Sequence, residues 1–201
     1  MSTVLYIKAN AKPKGESRTF QISDAFIAAY KEKHPEDNII TLDLYKENIG
    51  FLNLDDLNSL FGQKNDESKN HPILKYAYQF LEADKYLIAE PLWNLSIPAI
   101  LKAYIDYICV NGITFQYTEN GPVGLCKNKK AINIVTRGGY YSEGPGASME
   151  MGDRYLKKVF AFLGIRDFTT VSADGLDVIG NNVNAILQKA IKEATDKLDT
   201  F

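Results

Sequence analysis

The sequence predicts an α/β fold built on a parallel sheet that is covered by helices on both faces. Short apolar runs of strand-forming residues alternate with helix-periodic stretches five times along the chain, the pattern of successive strand–helix–strand crossovers. The strand-like runs are apolar on both alternating sets of residues, which suits burial on both faces. No internal repeat, linker or low-complexity segment interrupts them, so residues 1–201 read as a single domain with room for a sizeable core.

Residues 4–7 read as the first strand and 8–15 as the loop after it. Ser17 or Thr19 caps the following helix, which carries Phe20, Phe26, Ile27 and Tyr30. It ends near His34-Pro35, because proline disfavours helical geometry in the residue before it. Residues 39–44 are the second strand. Over 45–70, Ile49, Phe51, Leu52, Leu57, Leu60 and Phe61 are scattered among Asp and Asn, which predicts a loop with a short helix, an excursion from the sheet. A helix over 71–81 leads to the third strand, 86–89, which Glu90-Pro91 ends. Pro98 opens the next helix as its first residue, with Ile100, Leu101, Tyr104, Ile105 and Ile108 at helical spacing. Residues 114–117 and the turn 118–122 form a small hairpin. The fourth strand (131–135), a Gly-rich loop (138–146), a helix (155–163), the fifth strand (168–171) and a last helix (184–198) complete the chain. Five strands so connected favour the order 2-1-3-4-5 of a flavodoxin-like three-layer sandwich.

Apolar residues make up 45% and charged residues 24%, with a net charge of −2; no basic stripe suits nucleic acid. Residues 127–130 read as a solvated turn. Cys109 and Cys126 form no C-x-x-C and join no His cluster, so free thiols in a reducing compartment and no metal site are expected. The start of the chain lacks a basic region, a long apolar stretch and a cleavage site, and no apolar run could span a bilayer. The expected location is the cytoplasm, with no membrane or nucleic-acid partner.

In an open parallel sheet, ligands bind beyond the carboxyl ends of the strands where the strand order reverses. Three loops meet there. The first offers Asn10, Gly15, Ser17, Arg18 and Thr19 before a helix, whose free N–H groups and dipole suit a phosphate monoester. Neither G-x-G-x-x-G nor G-x-x-x-x-G-K-[ST] occurs in it, which argues against a Rossmann dinucleotide site and a P-loop. The second, Pro91-Leu92-Trp93-Asn94-Leu95-Ser96-Ile97-Pro98, holds the only Trp of the chain beside an amide, able to flank a flat ring and bond its polar edge. The third, Thr136-Arg137-Gly138-Gly139-Tyr140-Tyr141, has a glycine pair that lets backbone N–H groups approach a ligand and stabilise negative charge on it. Singly, each loop has a structural explanation: a capped helix, a packed Trp, a tight turn. Together a phosphate cup and an aromatic slot suit flavin mononucleotide (FMN).

The segment Phe115-Gln116-Tyr117-Thr118-Glu119-Asn120-Gly121-Pro122, the run Pro91-Leu92-Trp93-Asn94 with Pro98, and Arg137-Gly138-Gly139 at a matching distance resemble the FMN-dependent NAD(P)H azoreductases, also described as NADH:quinone oxidoreductases. The resemblance runs from Val4 to the last helix. It implies phosphate contacts at Asn10, Ser17, Arg18 and Thr19, ring contacts at Leu92, Trp93, Asn94 and Leu95, and polar-edge contacts at Thr136, Arg137, Gly138 and Gly139. It also implies a homodimer whose partner chain covers the flavin, with Trp93, Tyr117 and Phe162 forming the substrate pocket. Some members carry Ser or His in place of Asn10, Met and Tyr in place of Leu92 and Trp93, and Ser in place of Thr136. By the same resemblance, NADH or NADPH gives hydride to flavin N5 and a quinone or azo compound then takes two electrons in the same slot. The chemistry belongs to the cofactor, so no catalytic side chain is expected, and His34 and His71 near helix ends read as structural. The alternatives are a flavodoxin-type electron carrier, which the charge of −2 disfavours, an FAD-holding quinone reductase, and a hydrolase, for which G-x-S-x-G is missing.

Overall fold

The computed structural model describes residues 1–201 except Lys14 and Gln63, and except the side chain of Asp66. Lys14 of the predicted first loop and Gln63 of the 45–70 excursion therefore lie outside the described residues. The elements follow in the order β1 (Thr3–Lys8), α1 (Arg18–Lys33), β2 (Asn38–Asp43), α2 (Leu54–Phe61), α3 (Leu74–Glu82), β3 (Lys85–Pro91) and α4 (Ala99–Ile108). They continue with β4 (Phe115–Thr118), β5 (Gly121–Gly124), β6 (Lys130–Thr136), α5 (Gly152–Phe162), β7 (Asp167–Ala173) and α6 (Val183–Thr195). The strands pair in parallel in the order β2-β1-β3-β6-β7. This is the expected 2-1-3-4-5, with the antiparallel hairpin β4-β5 inserted in the chain between the third and fourth sheet strands.

The alternation of side chains along each strand divides the apolar residues between two cores. Leu5, Ile7, Tyr86 and Ile88 face α3, α4 and α5, where Phe80, Tyr104, Leu156 and Phe160 meet them. Val4, Tyr6, Leu87, Ala89, Ile132 and Ile134 face α1 and α6, against Phe20, Phe26, Leu187 and Ala190. The sheet is thus the middle of three layers, and burial of both faces explains its unbroken apolar runs.

Several boundaries differ from expectation; α5 starts three residues early, at Gly152, and β7 runs on to Ala173. Strand β3 continues through Pro91, which pairs with Thr136. The Leu92 N–H donates to the Thr136 carbonyl at 2.9 Å, so by alternation Pro91 faces the side of β1, whose ladder with β3 has already ended at Lys8 and Ala89. The missing N–H has no partner to lose there. The helix expected over 71–81 begins only at Leu74, because His71 precedes Pro72 and is held extended; the His71 ring nitrogen accepts from the N–H groups of Ile73 (3.3 Å) and Leu74 (3.5 Å). Pro98 is the cap residue of α4 rather than its first helical residue, with ψ at 143°. The last helix runs from Val183 to Thr195, capped by Asn182.

The hairpin is seated on the end of α5. A Cβ at Gly124 would lie 2.1 Å from the Leu163 carbonyl carbon, so this close approach requires glycine. Beneath the carboxyl ends of β3 and β6 lies a buried polar pair. Glu90 is fully buried, and Asn133 donates to it over a long 3.5 Å. Asn133 also donates to Asp153 of α5 at 3.1 Å, and Thr170 of β7 donates to the same carboxylate at 2.6 Å. Burial pushes the Glu90 carboxyl well above the usual range, against the opposing pull of the Asn133 hydrogen bond and the Arg137 charge.

Gly124→Ala is expected to cost about 1–3 kcal/mol by overpacking, read as a lowered urea midpoint, while Gly50→Ala, with nothing within 4 Å of its added methyl, leaves the midpoint unchanged. Glu90→Gln gives a pH-dependent outcome. Because the folded-state pKa of Glu90 is raised above its ordinary 4.5, stability present below that value is lost as pH rises toward the folded pKa. Thermal midpoints of wild type and Glu90→Gln should match most closely near about pH 5, and the wild type should fall progressively below the variant toward about pH 8. A difference that is constant with pH would show Glu90 to be ionised throughout.

Candidate functional site

Parallel strands release all their strand-to-helix loops at one edge of the sheet. Strand β1 pairs with β2 on one side and β3 on the other, so the crossovers from it diverge and open a crevice at its carboxyl end. The loops after β1, β3 and β6 line this region.

Ser17 is the residue that caps α1; its hydroxyl accepts from the Phe20 N–H at 3.1 Å. Asn10 donates to Ser17 Oγ at 2.9 Å and, at a long 3.5 Å, to Thr19 Oγ1, while its own oxygen accepts from the Lys12 N–H at 3.0 Å. Thr19 Oγ1 lies 2.6 Å from Thr136 Oγ1 at the end of β6. All four side chains are buried. The structure thus joins Asn10, Ser17, Thr19 and Thr136 in one network across two of the predicted loops. The backbone N–H of Thr19, in the first turn of α1, donates to no group among the described residues, the condition under which a helix start holds an anion.

Arg18 lies elsewhere. Its guanidinium donates to the Leu176 carbonyl and to Asp177 Oδ1, both at 2.8 Å. Arg137 is likewise occupied by protein groups: it is buried, donates to Ser142 Oγ at 3.1 Å, and pairs with Asp174 (3.4 Å) and Glu150 (3.7 Å). Its Nε finds no partner among the described residues. Both arginine side chains brace loops in this structure.

The second loop is a tight turn. Trp93 and Ser96 exchange two backbone hydrogen bonds of 2.9 and 3.0 Å, and Asn94 and Leu95 between them adopt φ of 50° and 68°. Asn tolerates this left-handed geometry, but leucine does so at a cost of about 1–2 kcal/mol. The Leu95 carbonyl accepts from the Met151 N–H at 2.9 Å, which ties the turn to the start of α5. Leu92 is half-buried, whereas Trp93 keeps 39% of its surface exposed, so its indole serves as an open wall rather than core.

In the third loop, the carbonyls of Arg137, Gly138 and Gly139 accept from the N–H groups of Leu176 (3.1 Å), Asp177 (2.9 Å) and Gly175 (2.8 Å). The N–H groups of Gly138 and Gly139 remain without acceptors among the described residues. Asp174 accepts from the N–H groups of Tyr141 (2.8 Å) and Ser142 (2.7 Å) and fixes the loop beyond.

Tyr117 and Phe162 come together through Phe115, whose ring lies 5.5 Å from the first and 4.7 Å from the second. Tyr117 is 71% exposed and Phe162 39%. Trp93 makes no ring contact with either of them among the described residues. The sequence reading missed Glu150, Asp174 and Asp177, the acids that hold the third loop and the start of α1, and the buried Glu90 beneath them; only the Asp174-Gly175 turn signal after the fifth strand pointed to any of them. Both cysteines are free, as expected.

Residues 2–198 match the family model described as "Flavodoxin-like fold". A relative from Clostridium acetobutylicum, named FMN-dependent NADH:quinone oxidoreductase 2, is 63% identical over 201 residues and covers 100% of both chains. The solved azoreductase from Bacillus anthracis str. Sterne superposes with a TM-score of 0.90 at 39% identity, covering 100% of both chains. An FMN-dependent NADH-azoreductase from Bacillus anthracis str. Ames Ancestor, solved in complex with FMN, gives a TM-score of 0.89 at 30% identity over 100% of this chain and 99% of the other. With a parallel sheet of this order and such likeness from end to end, the chain belongs to the flavodoxin-like family, and within it to the FMN-dependent NADH:quinone oxidoreductases.

Proposed function

We propose that this protein is an FMN-dependent NADH:quinone oxidoreductase that also cleaves azo compounds reductively, acting as a cytoplasmic homodimer whose 201 residues form one domain per subunit. The observation that carries the reading is the set of backbone N–H groups at Thr19, Gly138 and Gly139, unpaired among the described residues, on two loops that the buried Thr19 and Thr136 hydroxyls join. This donor set fits FMN. The start of α1 suits a phosphate monoester, with neutral hydroxyls and an amide beside it as further donors. The glycine N–H groups suit the electron-rich edge of an isoalloxazine.

When bound, FMN supplies the two-electron exchange between NADH and the acceptor. The chain's part is to bind and orient. Ser17, Thr19 and Asn10 hold the phosphate; Leu92, Trp93, Asn94 and Leu95 flank the ring; Thr136, Arg137, Gly138 and Gly139 line its polar edge through backbone and through Thr136 Oγ1. Tyr117 and Phe162 offer flat apolar surface to a quinone or azo substrate. No side chain is needed as a nucleophile or general base, and both histidines of the chain are at helix ends, His71 capping α3 and His34 closing α1.

A partner chain completes this reading. Phe51, Leu54 and Phe61 are 86%, 73% and 80% exposed, an apolar face that a soluble monomer seldom leaves bare. With no helix among the described residues long and apolar enough to cross a membrane, a second subunit is the natural cover. An electron-carrier role without turnover is not favoured, because relatives alike along the full chain are named as oxidoreductases.

Heat release should yield FMN from the purified protein, and NADH oxidation should depend on benzoquinone with parallel double-reciprocal lines; protein that takes up no FMN at micromolar concentration overturns the reading. Thr19→Val, which removes a buried hydroxyl from the cup but leaves the Ser17 cap, should weaken FMN binding about tenfold or more, read by flavin fluorescence. An unchanged dissociation constant would remove Thr19 from the phosphate site.

A further inference from the structure

Arg18 begins α1 at the phosphate site, yet its charge is spent on the loop after β7. Two features make this pair lopsided. Asp177 is anchored without Arg18: its N–H donates to the Gly138 carbonyl at 2.9 Å, flanked by the bonds from Gly175 (2.8 Å) and Leu176 (3.1 Å) to the same strip of backbone. Its second carboxylate oxygen fills the space beside Gly138, where a Cβ would lie only 2.5 Å away. Arg18 has no comparable anchor. Its side chain is 31% exposed and that of Asp177 66%, so the pair is screened by water and weak, and the flexible guanidinium is the partner able to leave.

Resting on the FMN reading above, we propose that Asp177 is a positioning residue that competes with the FMN phosphate for Arg18. In the flavin-free protein, Asp177 and the Leu176 carbonyl hold Arg18. A phosphate dianion at the start of α1 draws the guanidinium over, exchanging one oxyanion partner for another. Asp177 stays on its backbone bonds, so the loop remains in place and only Arg18 moves. The consequence is specific: Asp177 lowers affinity for the phosphate end of FMN and leaves the affinity for the ring unchanged.

The test is titration of flavin-free protein with FMN and with riboflavin, which lacks the phosphate, followed by flavin fluorescence. Asp177→Asn should tighten FMN binding about two- to fivefold, the range set by release of an exposed ion pair, and leave riboflavin unchanged. Arg18→Ala should weaken FMN alone, and in that background Asp177→Asn should lose at least about half of its gain, as expected for coupled residues. Asp177→Ser, with thermal midpoints of every variant, guards against a folding defect. Equal shifts for FMN and riboflavin, weaker FMN binding in Asp177→Asn, or a gain that persists undiminished without Arg18 would each overturn the proposal. A wild type that binds riboflavin and FMN equally overturns the phosphate site itself, and one that binds neither overturns the FMN reading, before any variant is compared.

Discussion

Parallel pairing is the constraint on which the rest of the molecule depends. A parallel strand cannot be followed by a tight hairpin, so each of β1, β3 and β6 hands the chain to a crossover at the same edge. That edge therefore collects the loops, the starts of the helices and their unpaired N–H groups. Because β1 is flanked by β2 and β3, the crossovers part on opposite faces and leave a crevice. The Thr19–Thr136 contact of 2.6 Å then braces α1 against β6 across the end of β3, so two of the three loops are fixed relative to each other by one buried hydrogen bond.

Below this edge the core becomes polar, and the polarity has a positional logic. Glu90, Asn133 and Thr170 stand on adjacent strands on the face covered by α5, at the level where apolar packing gives way to loops. Asp153 in the first turn of α5 takes hydrogen bonds from Asn133 and Thr170 and pairs with Lys157 at 2.8 Å. These bonds hold its carboxyl below the usual range despite the opposing effect of burial. Glu90 lacks such partners: one of its oxygens, like the Asn133 carbonyl oxygen and Arg137 Nε, has none among the described residues.

The sheet was legible because burial on both faces writes itself into composition: runs such as Val4-Leu5-Tyr6-Ile7 and Tyr86-Leu87-Ile88-Ala89 have no wet side to confuse the period. Boundaries were legible only where a local rule decided them. The cap of α1 was narrowed to Ser17 or Thr19, of which Ser17 takes it, whereas Pro91 was misread because a proline ends a strand only if its missing N–H faces a partner. The site was legible at the level of loops and backbone. Asn10, Ser17, Thr19 and Thr136 do meet, but the ion pairs of Arg18 and Arg137 were not legible. Their partners Asp177, Asp174 and Glu150 lie 159, 37 and 13 residues away in sequence, and no local pattern encodes a pairing at those separations. Tyr117 and Phe162 were joined by resemblance alone, and their contact runs through Phe115, which packs in the core.

The distribution of donors explains why a site of this kind tolerates changes in its side chains. The unpaired groups at the crevice are peptide N–H groups, whose positions follow from the helix start and from the glycine pair. The side chains around them already satisfy one another: Asn10 with Ser17, Thr19 with Thr136. A hydroxyl that is both donor and acceptor can turn its hydrogen toward an arriving oxyanion without moving its oxygen, so the network accommodates a ligand at little cost in rearrangement. What cannot vary so freely is backbone shape. The turn that carries Asn94 and Leu95 holds a leucine in left-handed geometry against its preference, secured by the paired bonds of Trp93 and Ser96 and by Met151. Strain kept at such a point is retained where the geometry itself is used, and here it sets the angle at which Trp93 stands open beside the crevice.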